Sequence, residues 1–121
     1  MKLLTQKIYN KLLANGRKRH AVQGTEQEYD PMPVVKLFAP DGSATWLLTE
    51  IDPDDPDIAI GLCDLGFGFP EFGPVHLPEL MAARGPVGLP IERDRFFDPE
   101  GQPLSTYIHK ARECGSLTAI A

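Results

Sequence analysis

Only two cysteines, Cys63 and Cys114, occur in the 121 residues, too few for a disulfide framework. No apolar run approaches the roughly 18 residues that a bilayer-spanning helix needs, so no membrane passage is expected. The early apolar residues Leu3, Leu4, Ile8, Leu12 and Leu13 are interrupted by Lys and Gln, unlike a secretory core, and a cytoplasmic location is expected. The three histidines, His20, His76 and His109, have no ligand spacing between them, and neither cysteine stands near another, so no metal site is expected. Gly-Lys-Ser/Thr is missing, as is a Gly-x-Ser-x-Gly elbow. No P-loop, hydrolase nucleophile or cofactor is expected. Acid is absent from residues 1–20, which carry six of the twelve Lys/Arg. Residues 21–121 hold all seventeen Asp/Glu and a net charge of −11, against −5 for the whole chain.

Hydrophobic residues make up 42% and charged residues 24%, enough for one domain with its own core, spanning residues 1–121. Gly and Pro number 11 and 12 and are dispersed between apolar runs, as turn punctuation is, which implies many short elements. Leu4, Ile8, Leu12 and Leu13 recur at helical spacing. They predict a helix from Thr5, its cap, to Asn15, with Asn15-Gly16 as the stop. Residues 16–32 then read as a basic-to-polar, less ordered connector.

Val34–Ala39 and Ala44–Ile51 flank the turn Pro40-Asp41-Gly42-Ser43 and predict a hairpin. Alternation along the second strand puts Trp46 and Leu48 on one face, Leu47 and Ile51 on the other. Ile58–Leu65 is apolar throughout and reads as a central strand. A loop follows, then a short strand at Val75–Leu77 and a short helix at Pro78–Ala83. The stretch LMAARGPVGLPIERDRFF (80–97) encodes a helix stop, a tight connection and a strand start, with the last strand at Ile91–Phe97. Leu104–Cys114 reads as a C-terminal helix ended by Gly115. The fold class expected is α+β, a small antiparallel sheet of four to five strands with N-terminal, mid-chain and C-terminal helices.

The candidate site residues each have a plain structural reading beside the functional one. Asp52, Asp54, Asp55 and Asp57 could attract a cation, but two prolines restrict the wrap and a solvated turn suits them better. Phe67, Phe69 and Phe72 sit on a Gly-rich loop; folded back they would cap the core, and held outward they would be adhesive. His76 reads as a packed histidine and His109 as a solvent-facing one. Glu50 is placed to meet Arg93 if their strands are neighbours. Alternation sets Arg93 and Arg95 on one face, Glu92 and Asp94 on the other. Arg84 would bond the last carbonyls of the short helix. Arg17, Lys18 and Arg19 form a basic cluster, read either as a cationic helix end or as a nucleic-acid contact.

The chain resembles the bacterial domain of unknown function 2958. The resemblance rests on Leu3-Leu4-Thr5, PVVKLFAPDGSATWLLTEID (33–52), IGLCDLGFGFPEFG (60–73), LPEL (77–80), RGPVGLPIERD (84–94), Phe96-Phe97 and Pro103-Leu104-Ser105. Residues 16–30 match least. The resemblance implies a setting on plasmids and integrative elements, near antirestriction, conjugation and DNA-processing genes. It supplies no catalytic residue and no cofactor. Its matching polar and aromatic positions, Trp46, Glu50, Arg84, Glu92, Arg93 and Asp94, are the binding candidates, together with Phe67, Phe69 and Phe72.

The function expected is a small non-catalytic interaction module whose acidic surface binds a protein partner, in an antidefence or DNA-mimic role. A nucleic-acid-binding accessory protein using residues 16–20 is the second expectation. A small enzyme using Glu50, Glu92 or Asp94 as acid and base is the third.

Overall fold

A computed structural model of the chain describes residues 3–25, 29–99 and 101–117. Helix α1 (Gln6–Val22) starts where the Thr5 hydroxyl accepts the Ile8 N–H at 3.1 Å. It does not stop at Asn15-Gly16 but runs on to Val22, so residues 16–22 are helix and not connector. The reason is tertiary. Asn15 and Gly16 are where α1 crosses the sheet, and a β-carbon on Gly16 would collide with the carbonyl oxygen of Ile51. The buried Asn15 amide donates to the Thr49 carbonyl at 2.9 Å. A pair that commonly ends helices here permits a close crossing instead.

Strands β1 (Val35–Phe38), β2 (Thr45–Ile51), β3 (Ile58–Asp64) and β4 (Glu71–His76) form an antiparallel meander. Helix α2 (Leu77–Ala82) follows directly, and β5 (Glu92–Arg93) returns beside β1, giving the order β4-β3-β2-β1-β5. The architecture is α+β. β5 pairs with β1 and not with β2, so Glu50 and Arg93 are not neighbours. The expected strand at 91–97 shrinks to two residues because the Asp94 carboxylate accepts the Phe96 N–H at 2.9 Å and turns the chain. Residues 71–73, read as loop, belong to β4.

A register shift between Leu48 and Glu50 in the β2–β3 ladder is a bulge, and it reverses the faces beyond it. Ile51 therefore joins Trp46 and Leu48 in the core beneath α1 and α2, where simple alternation would set it opposite them. Leu47 and Leu62 point the other way, into a second core closed by Leu104 and Ala111 of helix α3 (Leu104–Cys114) and by Leu117. The sheet thus lies between two helical layers. α3 ends on Gly115 in the left-handed region, φ 73°, as its position predicts. Its N-terminus is capped from a distance: Asp30 accepts both the Ser105 N–H at 2.9 Å and the Ser105 hydroxyl.

The RGPVGLPIERD stretch is folded around one turn residue. Asp41, in the β1–β2 turn, accepts N–H groups from Val87 at 2.9 Å and Leu89 at 3.3 Å. Gly85 packs so closely on the Asp41 carboxylate that no side chain fits there.

Candidate functional site

The binding candidates lie in separate places. Trp46 is a core residue, 7% exposed and packed in the cluster beneath α1 and α2. Glu50 is 1% exposed, and its carboxylate is met by Arg19 of α1 at 2.5 Å and by the Thr49 hydroxyl at 3.1 Å. The Arg19 guanidinium lies over the Tyr29 ring at 4.9 Å and the Phe72 ring at 5.9 Å. Burial, reinforced by the Glu50 charge, pushes the Tyr29 hydroxyl above its ordinary value, while Arg19 opposes the shift. A desolvated carboxylate with one cation and one hydroxyl is well placed as a structural pair, since removal of either partner would strand a buried charge. The sequence pointed Glu50 at Arg93. Its true partner, Arg19, was hidden because α1 was expected to end at Asn15, four residues before it.

Phe67 and Phe69 do not fold back on the core. They stand 77% and 79% exposed at the tip between β3 and β4, beside an exposed Leu65. The tip is built to hold them there. Asp64 is buried, and its two oxygens accept the Gly66 N–H at 2.8 Å and the Leu117 N–H at 2.7 Å. One carboxylate therefore ties the turn both to itself and to the segment after α3. Gly66 and Gly68 adopt φ of 89° and 86°, a region side-chain-bearing residues avoid. A β-carbon on Gly66 would also strike the Ser43 hydroxyl. Phe72, 39% exposed, is partly roofed by Arg19 and belongs to the sheet face, not to the tip. The tether made by Asp64 could not be read from the sequence, where Asp64 follows Cys63 at the end of an apolar run and Leu117 lies 53 residues away.

Arg93 and Asp94 line a groove of about 960 Å³ along α1. Arg95 lines it too, on the face it was expected to share with Arg93; Asp94, expected on the opposite face with Glu92, joins them because the chain turns after β5. Glu92 is exposed on β5. Arg93 donates to the Leu3 carbonyl at 2.9 Å, and Asp94 pairs with Lys36 at 3.5 Å. Arg84 does as expected, donating to the carbonyls of Ala83 at 2.8 Å and Met81 at 3.3 Å. Glu50, Arg84 and the 92–94 triplet therefore do not converge on one cleft. The three carboxylates proposed for acid and base work lie in separate environments. The basic cluster is likewise divided: Arg19 is spent on Glu50, Lys18 faces the groove and Arg17 is exposed.

The aspartate connector is a solvated turn, with Asp52 and Asp55 accepting the N–H groups of Asp54 and Asp57. His20 of α1 approaches Asp52 at 3.6 Å and Asp54 at 3.7 Å, a contact the sequence did not reveal. These three groups could reach a common ion, but all three are at least a third exposed. His76 is exposed at the start of α2, near Glu79 at 3.8 Å, and is not packed as expected; His109 is exposed as expected. Both cysteines are free; Cys114 is exposed, and burial pushes the Cys63 thiol up, aided by the Asp64 charge. No helix among the described residues is long and apolar enough to cross a membrane. No curated protein and no solved structure matches the chain. Residues 3–118 match the family described as Protein of unknown function (DUF2958), and the chain belongs to that family.

Proposed function

We propose that this protein is a non-catalytic interaction module that docks a protein partner through the tip carrying Leu65, Phe67 and Phe69. The observation that supports this reading is the tether: a buried carboxylate and two positive-φ glycines hold two phenylalanines in water. Exposed large rings on a preorganised turn bind with little ordering entropy to overcome, and burying each ring contributes on the order of 2 kcal/mol. The partner's chemistry follows from the rings and from the charge of the chain: the rings call for an apolar cleft, and a net charge of −11 over residues 21–121 favours a partner with a basic surface. In its sharpest form the partner is itself a nucleic-acid-binding protein whose basic groove the acidic body occupies, in an antidefence role on a mobile element. A cytoplasmic setting fits the two free thiols.

The test compares wild-type protein with Phe67→Ser/Phe69→Ser as bait. Every protein recovered by wild type alone is then titrated directly against both. The expected result is a partner bound by wild type and weakened at least about 30-fold by the double substitution, with unchanged circular dichroism. Equal affinity for the two baits would contradict the reading.

A further inference from the structure

The groove along α1 reverses the sign of the molecule. Among the described residues, Lys7, Lys11, Lys18, Arg93 and Arg95 line it against two carboxylates, Asp30 and Asp94, in a chain whose overall charge is −5. Both carboxylates are occupied: Asp30 caps α3 through Ser105, and Asp94 holds Lys36 and the Phe96 N–H. Among the described residues, Lys7, Lys11, Lys18 and Arg95 have no acidic partner. Lys7, Lys11 and Lys18 are four and seven residues apart, which places them on one face of α1. At 1.5 Å rise per residue they form a stripe about 16 Å long. Arg93 and Arg95 provide the cations contributed from the β5 side. A spread of this length suits a linear polyanion and not a compact anion. Two aromatic residues line the same groove: Tyr29, one ring face of which is covered by Arg19, and Phe97, whose ring also meets Tyr107 at 6.4 Å.

We infer that this groove binds single-stranded nucleic acid, with the lysine stripe following the phosphates and the uncovered parts of the Tyr29 and Phe97 rings offering stacking surfaces. Cations that track a backbone beside aromatic faces are the physical requirements of such binding, and only unpaired bases can reach the rings. The site is separate from the aromatic tip, and neither depends on the other. It also differs from the Arg17-Lys18-Arg19 cluster, of which it uses Lys18 alone.

The test is fluorescence anisotropy of a labelled thymidine dodecamer in low and rising salt, with an abasic dodecamer as comparator. Binding is expected, and log K should fall with log salt by about 0.7 per phosphate neutralised. Lys11→Glu/Arg95→Glu and, separately, Lys7→Glu/Lys18→Glu should each weaken binding by about tenfold or more, while Arg17→Glu changes it by less than about twofold. The abasic strand should bind about tenfold more weakly or worse. Any of three results overturns the inference: no binding of the dodecamer in low salt, an equal loss in Arg17→Glu, or equal affinity for the abasic strand. The last would mark the ligand as a simple acidic polymer.

Discussion

Replacing Asp64 tests whether the tip is held in place or merely happens to protrude. Its carboxylate is buried at 2% exposure and accepts two backbone N–H groups, at 2.8 Å from Gly66 and 2.7 Å from Leu117. Hydrogen bonds to a charged acceptor contribute about 1.5–3 kcal/mol each, so Asp64→Ala should cost about 3–6 kcal/mol. That is a large part of the 5–15 kcal/mol typical of a domain, roughly. Asp64→Asn keeps one accepting oxygen and turns a donor toward the other N–H, and should cost about half as much. Urea denaturation monitored by circular dichroism gives the stability, and amide hydrogen exchange gives the location. In Asp64→Asn, protection should fall at whichever of Gly66 and Leu117 loses its acceptor, and not at β1 or in the middle of α1. A cost below about 1 kcal/mol for Asp64→Ala, with exchange at both amides unchanged, would refute the tether.

Three further perturbations probe the scaffold. Gly16→Ala should destabilise the protein by about 2 kcal/mol or more despite Ala's helix propensity, because the added methyl meets the Ile51 carbonyl; stabilisation of about 1 kcal/mol in a thermal melt would show that α1 does not press on the sheet there. Arg19→Leu should cost about 3 kcal/mol by leaving the buried Glu50 unpaired, and Arg19→Leu/Glu50→Gln should recover part of it; a double variant no more stable than the single, by urea titration, contradicts the pairing. In native protein at mild alkaline pH, iodoacetamide should modify the exposed Cys114 before Cys63, whose thiol is raised by burial and so holds less thiolate; intact-mass and peptide analysis showing equal rates would contradict it.

Much of the fold was legible because local chemistry and tertiary structure agree. Thr5 caps α1, Gly115 ends α3 in the left-handed region, and Pro40 to Ser43 turn the first hairpin. What the sequence concealed was decided by contacts distant in the chain. Asn15-Gly16 carries the signature of a helix stop, yet the same small residue serves the approach of α1 to β2. Alternation misplaces Ile51 because the bulge beside Thr49 adds a residue that no propensity marks. The charges at 92–95 read as a strand with two faces, whereas the Asp94 turn directs three of them into one groove. That groove joins Lys7 to Arg95, and the tip joins Asp64 to Leu117. Periodicity within a window cannot register such pairings. The aromatic loop was visible as a loop, but the outward set of Phe67 and Phe69 depends on that distant tether.

Contact made by the tip itself decides the central claim. A photoreactive phenylalanine analogue placed at position 67, and in a separate protein at the equally exposed Val87, reports which surface touches a partner on irradiation in the native cell. The account predicts a discrete covalent protein adduct from position 67 that is not formed from position 87. No adduct at 67, or the same adducts from both positions, would contradict it.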